Sequence, residues 1–162
     1  MNLRKNKGYV GMDASIAVLI LLLIIPTITG MIYNINKTNN SIERKTEAIN
    51  ISINIIEAIK GIGIEELNKA NADIEITTAL VNMYSDLNTE EKEVTTTGGL
   101  NIKELILTKN QNTYKIEINV KDYAQTTEGQ GAQSGYVKIA TIKVIYRVGQ
   151  KDENIELSTV IS

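Results

Sequence analysis

The chain has 162 residues, a net charge of −2 at pH 7, and neither cysteine nor histidine. Those absences exclude disulfide staples and the usual thiol and imidazole catalysts. The mildly acidic balance leaves no electrostatic footprint for nucleic acid, so no direct nucleic-acid partner is expected.

The chain opens with three cations, Arg4, Lys5 and Lys7, followed by Gly8, Tyr9 and a lone acid, Asp13. Twenty residues without a charge follow, from Ala14 to Tyr33. A helix rises about 1.5 Å per residue, so this run reaches about 30 Å, the thickness of a bilayer's hydrocarbon core. Residues Ile16 to Ile25 carry no polar side-chain atom, and in lipid only a helix satisfies their backbone internally. Pro26 removes one amide donor and predicts a bend, which the hydroxyls of Thr27 and Thr29 can ease. The cations predict a cytoplasmic N-terminus with the bulk of the chain outside.

An acid near the bilayer centre costs about 2.5–3.5 kcal/mol, and less at the interface, where Asp13 is expected. Cutting the chain before Tyr9 removes three of its 17 cations against 19 acids, taking the net charge from −2 to −5 without the chain ends. It also sets Asp13 one helical turn from a new positive amine. On charge alone three readings stand open. The segment is processed at its cytoplasmic edge. Or it is an uncleaved single-pass anchor for an extracellular binding domain. Or it is a secretory signal cut after Ile28-Thr29-Gly30, releasing a soluble domain that starts near Met31.

Lys7-Gly8-Tyr9-Val10-Gly11-Met12-Asp13, backed by the apolar run, resembles the N-terminal signature of type IV pilins and pseudopilins. The resemblance covers about the first quarter of the chain. In that family a prepilin peptidase cuts after the glycine of a short basic leader. The new first residue is N-methylated. A glutamate at the fifth mature position compensates a neighbouring subunit's amino terminus in a helical filament. Carried over, the resemblance implies a cut between Gly8 and Tyr9, methylation of Tyr9, and an assembly role for Asp13. It further implies an assembly platform, a motor ATPase and other pilin-like subunits as partners. Val10-Gly11-Met12 is less hydrophobic than the family's usual residues, and aspartate reaches less far than glutamate; both departures suit a minor subunit.

Asn34 to Ser41 is rich in poor helix formers, which leaves two alternatives there, a weak continuation of the helix or a loosening; Asn40, with Glu43 completing an approximate capping box, marks a candidate restart. Ile42 to Lys60 has helical spacing on two neighbouring apolar faces, one with Ile42, Ile49, Ile53 and Ile56, the other with Ile51, Ile55, Ala58 and Ile59. Such a sector is wider than one packing seam needs. Either part of it meets other subunits or the helix is buried on both faces. Gly61 and Gly63 end the helix. Two short helices are expected between Ile64 and Tyr84, then a polar loop from Asn88 to Gly99 whose Glu90, Glu91 and Glu93 form a solvated acidic run.

The last third alternates apolar and polar residues. A strand opens at Leu105, and Lys109 to Asn112 turns the chain. Tyr114, Ile116, Ile118 and Val120 share one face of the next strand. Thr126 to Gly135 is a glycine-containing connection. Ala140, Ile142, Val144, Tyr146 and Val148 mark a long strand, and Ile155, Leu157, Thr159 and Ile161 the last. Period-two alternation predicts an antiparallel sheet covered on one side, with the Ile42–Lys60 helix as cover.

The expected fold is α+β: a long N-terminal helix on a four-stranded antiparallel meander, which is also the layout of type IV pilin-like proteins. The expected organisation is a leader at 1–8, a transmembrane or filament-core helix at 9–33, and an exported domain at 34–162. Gly61-Ile62-Gly63 lacks the lysine of a phosphate loop, and the acidic run lacks a calcium-loop pattern. No catalytic residue, metal or cofactor is expected. The expected function is that of a filament subunit serving adhesion, secretion or DNA uptake (competence).

Overall fold

The structure, a computed structural model, describes residues 7–97, 99–123 and 137–162, the first four of these as backbone only. The expected cations Arg4 and Lys5 and the Thr126–Gly135 connection lie outside the described residues. The chain divides into two units, one ending at Ser41 and the other running from Ile42 to Ser162.

The first unit is the N-terminal part of helix α1, Lys7–Ile62. Every residue from 11 to 40 is exposed. Of the two alternatives for Asn34–Ser41, continuation and loosening, the structure shows continuation: α1 is helical throughout, with no restart at Asn40. Asparagine and threonine cost only some tenths of a kcal/mol each in a helix. Pro26 lies inside α1. The hydroxyls of Thr27 and Thr29 donate to the carbonyls of Leu23 (2.9 Å) and Ile25 (2.8 Å). Each thus bonds within its own turn; the acceptor that a proline at this position leaves unpaired is Leu22.

In the second unit α1 has a buried stripe of Ala48, Ile51, Ile55 and Ile59, with Ser52 beside it. The three- and four-residue spacings keep the stripe on one face. Of the two faces expected from the sequence, this is the covered one; Ile42 and Ile53 are exposed. Gly63, at φ 82°, breaks the helix in a conformation that favours glycine. The short helices α2 (Ile64–Leu67) and α3 (Ala72–Met83) follow, adding Leu67, Ile76 and Leu80 to the core.

Among the described residues six antiparallel strands make one sheet: β1 (Leu87–Asn88), β2 (Glu93–Thr95), β3 (Leu100–Lys109), β4 (Asn112–Asp122), β5 (Lys138–Val148) and β6 (Lys151–Ile161). The order is β1-β3-β4-β5-β6, with β2 also on β3. The α+β class and the meander of four long strands match the expectation. The strand number does not, because β2 and the second residue of β1, Asn88, lie in the stretch expected to be loop, Asn88 to Gly99. Asn88 accepts the Glu90 amide at 2.8 Å and turns the chain between them. Lys92 then reaches Thr77 (3.2 Å) and Asp73 (3.5 Å) on α3. With those anchors, Glu93–Thr95 runs along β3 opposite Lys103–Asn101.

Both β3 and β6 begin earlier than the alternation suggested. A bulge at Ile102–Leu105, with Glu104 at φ 61°, shifts the period within β3. The β3–β4 hairpin turns on Asn110 (φ 51°) and Gln111 (φ 63°), the left-handed pair of a type I′ turn. The β5–β6 hairpin uses Gly149 (φ 64°) and lets β6 begin at Lys151. Ile116, Ile118, Ile142 and Val144 are fully buried on the sheet's inner face, in one core with the α1 stripe. Glu47 on α1 pairs with Lys109 at 2.5 Å, tying the helix to the β3–β4 turn.

Candidate functional site

Two places concentrate chemistry, one in each unit. In the first, the residues singled out by sequence fall at the start of α1. Gly8 and Tyr9 are helical, and Asp13 is exposed one turn beyond Tyr9. Four residues of helix separate 9 from 13, a rise of about 6 Å. A helix starting at Tyr9 would put Asp13 near its positive end, where a carboxylate is favoured. Gly11 has open space where a side chain would stand. Ser15 donates to the Gly11 carbonyl at 2.9 Å. Past Asp13 the surface is apolar all round: Ile16, Leu19, Leu22 and Leu23 are all exposed, Leu23 to 68%. This is the one described helix long and apolar enough to cross a membrane.

In the second unit a cavity of about 550 Å³ opens where the two hairpins meet α1. Its polar lining includes Arg44, Lys115, Tyr114, Tyr146, Arg147 and Asp152. The cations there are already held. Arg147 donates to Asp152 at 2.8 Å, Lys115 pairs with Glu104 at 2.5 Å, and Arg44 donates to the Arg147 carbonyl. The Asp152 hydrogen bond raises the Arg147 pKa, and the same bond lowers that of Asp152. The Glu104 hydrogen bond raises Lys115. Burial pushes up the Tyr114 phenol; burial and the Glu153 charge push up that of Tyr146, which donates to Glu153 at 3.3 Å. Each of these shifts moves its group further from neutral pH, so the lining presents fixed charges and protonated phenols.

Elsewhere, Glu90, Glu91 and Glu93 are exposed. Among the described residues no group of three or more carboxylates is placed to hold a metal ion. Sequence reasoning passed over the outer edge of β6 and Glu156 on it. The alternation that located β6 was legible, but which strand ends the sheet depends on pairing order.

No protein-family model matches this sequence, and no curated protein or solved structure matches it.

Proposed function

We propose that this chain is a structural subunit, of the minor kind, in a type IV pilus-like or pseudopilus filament. The observation that carries the reading is the contrast within α1. Residues 11–40 are exposed and largely apolar, while the second unit has a buried core of its own. A helix that is apolar all round needs lipid or other helices about it. A filament subunit uses both in turn: the helix is stored in the membrane and then lifted into a filament core.

In this reading the leader is cytoplasmic and the second unit lies outside. A prepilin peptidase cuts between Gly8 and Tyr9, and Tyr9 is methylated. A motor ATPase and its membrane platform extract the helix. Asp13 pairs with a neighbour's Tyr9 amine, and a buried acid left without that partner costs several kcal/mol, which rejects misregistered subunits.

Intact mass and terminal sequencing of the chain from membrane and sheared surface fractions test this directly. A chain starting at methylated Tyr9 is expected. Retention of Met1–Gly8 overturns it in favour of an uncleaved anchored domain, and a start near Met31 in favour of a secreted one. Asp13→Ala is expected to insert into the membrane normally and to be missing from filaments. Incorporation of that variant at the parent level would remove the role given to Asp13.

A further inference from the structure

The two edges of the sheet are built differently. On the β3 side the edge is broken into β1 and β2, and β3 itself carries the bulge at Ile102–Leu105. Short edge strands and bulges are the usual guards against unwanted strand pairing. On the other side β6 is eleven residues long and pairs with β5 in unbroken register, from Val148↔Lys151 to Lys138↔Ile161. It has no bulge and no proline, the chain's single proline being Pro26. Among the described residues nothing pairs with its outer side. Every second residue of such a strand points its amide and carbonyl away from the sheet.

The side chains of this edge are selective. Ile155, Leu157 and Thr159 face the core side but are only half-buried, whereas Val144, Ile142 and Ala140 opposite them are completely covered. The core is therefore open along β6. On the opposite face Glu117, Lys143 and Glu156 lie in one cross-strand row. Lys143 pairs with Glu117 at 3.1 Å. Of the other β6 acids, Asp152 is held by Arg147 and Glu153 by Tyr146. Glu156 is exposed, and no ion pair or hydrogen bond reaches it among the described residues. The row thus ends on an acid at the position where the next strand would begin.

The geometry points to β6 as a strand-addition site for an extended segment of a partner protein that alternates apolar residues with lysine or arginine. The backbone supplies the ladder, the apolar residues cover Ile155 and Leu157, and a cation opposite Glu156 completes the charge row. The β6 strand of a second copy, paired antiparallel, is the wrong occupant. Residues opposite each other in an antiparallel pair share a face, and the one cation of β6, Lys151, alternates onto the face away from Glu156. No antiparallel β6–β6 register therefore opposes Glu156 with a cation. This inference does not depend on the filament reading.

The test uses the full chain in detergent micelles and fluorescent ten-residue peptides. One alternates isoleucine or threonine with lysine, one carries glutamate for lysine, and one has the lysine composition interrupted by two prolines. Saturable one-to-one binding of the lysine peptide is expected, with hydrogen-exchange protection confined to β6 amides. Glu156→Lys is expected to weaken that binding at least tenfold and to bind the glutamate peptide instead. Glu156→Gln, which keeps the side chain's size, is expected to fall between. Equal binding of the proline peptide, indifference to both substitutions, protection elsewhere, or self-association through β6 would each overturn the proposal.

Discussion

Two stretches of one helix carry similar aliphatic residues and meet opposite fates. From Ala14 to Tyr33, α1 is apolar on every side and wholly exposed; from Ile42 to Ile62 it buries Ala48, Ile51, Ile55 and Ile59 and exposes Glu43, Lys45, Glu57 and Lys60. Hydrophobicity alone does not decide burial. The second stretch has a polar face, so it has a direction in which to pack, and a sheet of matching alternation lies there. The first has no such face, and nothing in its own unit covers it. In the function proposed above, its stabilising surroundings come from outside the chain, as lipid or as other helices.

That contrast is sharpest in paired truncations. Ile55→Ala removes three carbons from a fully covered site and is expected to cost about 2–5 kcal/mol of unfolding free energy. Leu21→Ala, at an exposed site, is expected to change it by no more than about 0.5 kcal/mol. Urea titration of both variants in the same micelles measures the difference. Equal losses would mean that the two stretches unfold as one packed body and would break the comparison.

The reciprocal change acts only on the first stretch. Leu21→Arg puts a charge in the middle of the apolar run, at an expected insertion cost of about 2.5–3.5 kcal/mol. The membrane-associated fraction should fall in a flotation assay, while the urea midpoint of the second unit stays with the parent. An unchanged membrane fraction would show that the run is not what holds the chain to the bilayer.

Much of this arrangement was legible beforehand where a repeating pattern carried it. The alternation of Tyr114, Ile116, Ile118 and Val120 named the buried face of β4, because a strand has only two faces. The spacing of Ile51, Ile55 and Ile59 marked one of two candidate faces on the helix expected to cover the sheet, and the structure shows which is buried. Where no side-chain pattern existed, the reading failed. Glu93, Val94 and Thr95 are all exposed, so β2 shows no alternation and forms through its backbone and the Lys92 anchor on α3. For Asn34 to Ser41 the residues left continuation and loosening both open; the helix runs on, because small local penalties do not break a helix that continues on both sides. At the candidate sites Gly8, Tyr9 and Asp13 were visible as a local motif. The β6 edge was not, since it is a property of strand order.

A small effect in the buried stretch tests whether the two stretches treat a hydroxyl by the same rule. Ser15, Thr27 and Thr29 in the exposed stretch and Ser52 in the buried one all donate to the carbonyl four residues back. In each case that carbonyl is also the normal acceptor for the residue's own amide. Deleting the hydroxyl therefore strands no partner, which is the costly part of losing a buried hydrogen bond. For Ser52, completely covered and 2.9 Å from the Ala48 carbonyl, alanine also brings a better helix propensity. Ser52→Ala is expected to leave the unfolding free energy within about 1 kcal/mol of the parent. Ser52→Val, which forces an extra methyl into the same closed space, should cost about 1–3 kcal/mol. If Ser52→Ala instead matches the loss from Ile55→Ala, the hydroxyl is holding helix to sheet, and the shared rule fails in the one stretch where packing could replace it.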